Sequence, residues 1–164
     1  MKKNNFFLLL LTCVTLLASS CEKNSDISCG NINFNPINFP PICSIIVQNK
    51  QVEDKFLVIN SLEELNNNIL LEDNVENSNC SGNSILLNID FTKYTLLIGK
   101  KALEQTQGSL INQSVERDCN TNSYIYSINI KQGGYTALGN FVFGAIIEKI
   151  PTETMIKFNV KIEN

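Results

Sequence analysis

The chain has 164 residues, of which 43% are hydrophobic and 18% charged, with a formal net charge of −3 and a mean hydropathy near zero. That balance excludes both an acidic disordered chain and a multi-span membrane protein. Histidine and tryptophan are absent, which removes His-based triads, HExxH zinc sites and His-ligated haem from consideration.

Residues 1–20 read as a secretory signal, with basic Lys2 and Lys3, an apolar run from Phe6 to Leu17, and the small residues Ala18, Ser19 and Ser20. The run is about 12 residues, short of the 18 or more that a membrane-spanning helix needs. Cleavage leaves 144 residues, a single-domain length. Loss of Lys2 and Lys3 leaves 11 basic against 16 acidic residues, so clustered phosphate-neutralising charge is lacking and no nucleic-acid partner is expected.

The segment Leu17-Ala18-Ser19-Ser20-Cys21 resembles the lipobox of bacterial lipoproteins, with Ala18 where leucine is commoner. The resemblance implies lipidation of Cys21 and a chain anchored to the membrane through it; two or more acyl chains hold a soluble domain there stably. Asparagine is abundant, at 24 residues, a bias of AT-rich genomes, and the chain resembles Bacteroidetes-type lipoproteins; that resemblance implies a bacterial outer-membrane location, periplasmic or surface-facing. Cys13 leaves with the signal, and Cys29, Cys43, Cys80 and Cys119 remain as disulfide candidates in an exported protein. Of the three possible pairings, Cys29–Cys43 with Cys80–Cys119 is the expected one. CxxC spacing is missing, so neither a metal site nor a cofactor is expected.

Residues 21–43 are polar, Asn-rich and punctuated by Pro36, Pro40 and Pro41, and read as a lipidated tether or loop whose alternating Asn31–Phe39 part could lie along a domain edge. Residues 44–164 form the single β-rich domain. Its first runs, Ser44–Gln48 and Phe56–Ile59, have the composition of buried strands. Ser61-Leu62-Glu63-Glu64 fits a capping box, with the Glu64 carboxylate returning to the Ser61 amide, and Leu62, Leu65 and Ile69 share one face of a short helix over about 61–70. Glu72–Asn83 is a polar loop, followed by strand segments Ile85–Ile89 and Tyr94–Gly99 around a turn at Asp90–Lys93. Ser109–Val115 alternates, with Leu110 and Ile111 breaking strict period. Tyr124, Tyr126, Ile128 and Ile130 lie on one face of a strand, Gly133-Gly134 predicts a hairpin turn, and Phe141–Ile147 returns. Beyond Pro151, alternation over Met155–Ile162 predicts a half-buried antiparallel strand. The fold class is mainly β, an antiparallel sandwich or partly open barrel of about seven or eight strands with one short helix.

Gly99-Lys100-Lys101 lacks the earlier glycine of a phosphate loop and carries Ala102 where Ser or Thr is needed; it reads as a strand end with a solvated basic turn. Glu63 and Glu64 diverge by about 100° on a helix and are structural. Glu116, Arg117 and Asp118 read as a salt-bridged exposed turn, and the aromatics around Tyr124–Phe143 as core. No nucleophile–base pair is recognisable, so no enzyme is expected.

The order Val58-Ile59-Asn60-Ser61 with Glu63-Glu64-Leu65, then Ile89–Lys93 with Thr95–Gly99, then Ile147–Pro151 resembles the C-terminal domain family of the protease-stabilising lipoprotein PrcB over about residues 52–163. The family's Thr-Gly-Gly-Tyr type turn is replaced by Thr106-Gln107-Gly108-Ser109. The resemblance implies a noncatalytic β-domain that supports or contacts an exported protease or another envelope protein. Partner-binding candidates are Glu104, Gln107 and Gly108 in one loop and Tyr135 in another. The alternative is a surface glycan- or small-ligand-binding lipoprotein, which requires a concave pocket with aromatic lining.

Overall fold

A computed structural model describes residues 29–37, 39, 45–47, 53–71, 85–105, 108–134 and 138–163. Its strands are β1 (Gly30–Asn31), β2 (Asn35–Ile37), β3 (Ile45–Val47), β4 (Lys55–Ile59), β5 (Ile69–Leu71), β6 (Tyr94–Leu103), β7 (Gly108–Asp118), β8 (Ser123–Gln132), β9 (Gly139–Glu148) and β10 (Ile156–Glu163). Among the described residues one helix, α1 (Leu62–Asn68), lies between β4 and β5, and residues 85–87 form a helical turn. Two four-stranded sheets, β1-β7-β8-β10 and β2-β9-β6-β4, build the expected β-sandwich, with β3 and β5 as a separate ribbon.

The period of each strand follows from what covers its faces. The sheet containing β8 packs one face on the other sheet and turns the second outward, so β8 and β10 alternate. Tyr126, Ile128 and Ile130 are fully buried in this inter-sheet core with Leu97, Phe143 and Ala145. The sheet containing β6 is covered on both sides: Leu97 faces the inter-sheet core, while Leu96 and Ile98 face a second core with Ile59, Leu65 and Leu86. Burial on both faces explains the near-continuous apolar run of β6.

Several local expectations change. β6 continues to Leu103, so Gly99-Lys100-Lys101 is mid-strand and not a strand end, with Lys100 buried. Residues 85–87 turn helically instead of forming a strand, because only Leu86 among Ile85, Leu86 and Leu87 enters the core. α1 stops at Asn68 and Ile69 opens β5, consistent with three successive asparagines being poor helix formers. The N-cap is as expected, with the Glu64 amide donating to Ser61 Oγ at 3.1 Å; the Glu64 carboxylate, however, accepts from the Asn60 amide at 2.6 Å. Ile111 occupies a β-bulge between Leu110 and Asn112, the physical meaning of the broken period.

The larger correction concerns pairing. The 124–130 and 141–147 segments do not form a hairpin: β8 pairs with β7 and β10, whereas β9 pairs with β6 and β2. The glycine-containing link crosses between sheets, which lets the apolar faces of both strands meet in one core. β10 is parallel to β8, not antiparallel, because it reaches the same sheet again after that crossing. Glu116, Arg117 and Asp118 end β7 and do not form the turn itself; Arg117 donates to Asn122 Oδ1 at 3.2 Å and Asp118 accepts from the Asn120 amide at 2.9 Å.

Residues 29–37, read with the tether, are part of the sandwich. β1 borders one sheet and β2 the other, with Ile32 and Phe34 packed on the inter-sheet core between them. Pro36 sits in an edge strand, where its missing donor is tolerated. Cys29 is bonded to Cys119, not to Cys43, because Gly30 pairs with Arg117 and sets the two cysteines side by side, with Cα atoms 5.6 Å apart. Cys119 is therefore not joined to Cys80; Cys43 and Cys80 lie outside the described residues.

Candidate functional site

The β6–β7 and β8–β9 links meet at one end of the sandwich because Leu103 pairs with Gly139 and Gly108 with Gln132. With its amide oriented to satisfy both groups, Gln132 accepts from the Glu104 and Gln105 amides at 3.1 and 3.0 Å, fixing one link against the end of β8. Glu104 is exposed beside this anchor. Leu138, in the other link, is 71% exposed. Asp54 lies against the same end: it pairs with Lys101 and accepts from the Ala102 amide at 2.9 Å. Partial burial opposes ionisation of Asp54, but the Lys101 hydrogen bond, the Ala102 amide and the Lys101 charge together hold its carboxyl below the usual range.

Gly108 differs in role from its neighbours. A Cβ there would lie 2.7 Å from Leu103 Cδ1, 3.1 Å from Ile130 Cγ2 and 3.2 Å from Phe141 Cδ2. It is a close-packing position beneath the links and offers no side chain to a partner. Gln107 and Tyr135 lie outside the described residues.

The aromatic residues divide between core and surface. Tyr126 is buried, its ring edge-on to Phe143 with centroids 5.8 Å apart, and its hydroxyl donates to Gln113 Oε1. Burial pushes the Tyr126 phenol well above its ordinary range. These contacts make the expected core and leave no tyrosine platform on β8. A different tyrosine, Tyr94, is 37% exposed at the margin of an open hollow of about 410 Å³ formed with Asn35, Asn88, Asp90, Ile85 and Ile146. Asp90 is held at a pKa of about 2, first by the Thr92 hydroxyl and then by Lys93 and the Thr92 amide. Both of its oxygens are engaged in closing its own turn.

Sequence spacing does not reveal this hollow, since Asn35 and Tyr94 come from distant segments brought together by β2–β9 and β9–β6 pairing, with Asn88 reaching it from the end of the 85–87 helical turn. The exposed Tyr94 at the head of an otherwise buried strand was the only local signal. Among the described residues no group of three or more Cys, Asp or Glu side chains could hold a metal ion, and no helix is long and apolar enough to cross a membrane. No protein-family model matches the chain, and neither the curated proteins nor the solved structures gave a match.

Proposed function

We propose that the chain is a lipid-anchored cell-envelope protein, attached to the outer membrane through Cys21, whose sandwich is a noncatalytic protein-interaction or protease-accessory module. The observation that carries this reading is that Cys29, the described residue nearest to Cys21 in sequence, and the Glu104 and Leu138 links lie at opposite ends of the sandwich. The chain enters the sandwich at Cys29, which is bonded to the β7–β8 turn, whereas the Glu104 and Leu138 links occupy the opposite end. A pull on the seven residues between Cys21 and Cys29 would be borne by the disulfide and the long β7–β8 hairpin, not by two-residue β1. The paired links then present exposed residues on a rigid support, the arrangement in which loops serve recognition.

The test is cross-linking of the tagged protein in intact cells of its source, followed by detergent purification and mass spectrometry. A protease or other envelope protein should co-purify in near-equal amount and be lost on Glu104→Ala or Tyr135→Ala. Recovery of the lipoprotein alone would sink the interaction reading. A second reading, binding of a glycan or other small ligand, is favoured by the hollow beside Tyr94, whose volume and aromatic margin suit such a ligand. Tyr94→Ala should then abolish glycan-array binding while leaving the cross-linked complex unchanged.

A further inference from the structure

β10 is the outermost strand of its sheet, and among the described residues no strand pairs with its far side. The Tyr124 amide donates to the Met155 carbonyl at 2.9 Å, so odd-numbered residues of β10 direct their peptide groups to β8. Ile156, Phe158, Val160 and Ile162 therefore direct theirs to the open edge. Their side chains are only half-buried on the core face, where Phe158 stacks on Phe56 with centroids 5.2 Å apart. Lys157, Asn159, Lys161 and Glu163 line the outer face. An eight-residue edge of this kind is a template for another strand.

We propose that the edge pairs with a second copy of this chain, β10 against β10 antiparallel about a twofold axis at Val160. This pairing requires neither membrane anchoring nor the loop end. A twofold-related antiparallel pair keeps each sheet face continuous, so residues of equal parity must stand opposite each other. Within Ile156–Glu163, seven residue pairs form only when the axis passes through Asn159 or Val160. An axis at Asn159 sets Lys157 against Lys161 of the other copy, twice. An axis at Val160 sets Lys157 against Glu163 twice, Asn159 against Lys161, and places Phe158 opposite Ile162 on the core face. Charge thus rejects one register and favours the other. Glu163 already lies 3.2 Å from Lys161 on its own strand, so each carboxylate would sit between two lysines. An edge contact is smaller than the about 800 Å² per partner of a stable dimer, and association is therefore expected at high concentration.

The experiment is sedimentation equilibrium on the chain from Glu22 to Asn164, which contains every described residue, from about 10 μM to 1 mM, the range suited to a contact below standard size. The wild type should show a monomer–dimer equilibrium. Lys157→Glu should weaken it about tenfold, and Lys157→Glu with Glu163→Lys should restore it to within about threefold. Val160→Pro should abolish dimerisation and lower the melting temperature only modestly, through lost packing of the half-buried Val160 side chain, because the lost donor faces the open edge. Asn159→Pro, whose donor faces β8, should instead destabilise the fold. A wild type that remains monomeric at the highest concentration, or a dimer indifferent to both the charge reversal and Val160→Pro, would overturn the proposal.

Discussion

Replacing Cys29 and Cys119 together by alanine should cost the domain about 4–5 kcal/mol. The bond joins residues 90 positions apart, and the chain-entropy relation for a closed loop of that length gives this value. For a domain of this size the loss corresponds to a fall in melting temperature of about 15 °C. The loss should also be uneven. β1 contributes only Gly30 and Asn31 to its sheet, followed by the Ile32 amide bond to Val115 at 2.9 Å, so residues 29–32 should exchange their amides ahead of the rest. The double variant is preferable to reductant, which would also reduce any bond made by Cys43 and Cys80. Circular dichroism gives the melting temperature and hydrogen exchange the local effect, after peptide mapping of the oxidised wild type. A linked Cys29–Cys43 peptide, or a loss below about 1 kcal/mol, would rule out a stabilising Cys29–Cys119 bond, since a cross-link of this span should contribute several times more.

Gly99→Ala would place a Cβ 2.4 Å from Phe143 Cζ and 2.9 Å from Phe56 Cδ1, so urea unfolding should show a loss of about 1–3 kcal/mol from overpacking. Ser61→Ala removes the acceptor for the Glu64 amide and should cost about 1 kcal/mol in the same assay. The Tyr126 phenol is raised by burial, so the folded state favours the neutral form. Its contribution is full below the unfolded phenol pKa of about 10 and declines as pH rises above it. Wild-type stability should therefore fall above about pH 10 more steeply than that of Tyr126→Phe, measured by urea unfolding across the alkaline range.

The parts of the fold legible in the sequence were those with one face in water. β8 and β10 announced themselves by alternation, and Ser61 with Glu64 marked the start of α1. In β6, Lys100 and Lys101 look like a solvated strand end, whereas pairing with both β4 and β9 carries the strand past them and buries Lys100. Strand partners were not legible: Gly133-Gly134 suits a hairpin locally, but the choice of sheet depends on which apolar faces meet in the shared core. The disulfide was missed for the same reason, since the Gly30–Arg117 register, set between residues distant in sequence, decides which cysteines meet. At the candidate site, Glu104 is an exposed loop residue as expected, while Gly108 is a packing position whose role depends on Leu103, Ile130 and Phe141 converging from three strands.

Anchoring through Cys21 is tested by the intact mass of the protein extracted from the membranes of its source, compared with Cys21→Ser. The wild-type chain should begin at Cys21 and be heavier than its sequence by the mass of its acyl chains, with the variant lacking that modification and failing to partition with the membrane. A wild-type chain of unmodified mass, released in soluble form or retaining residues 1–20, would contradict that anchoring.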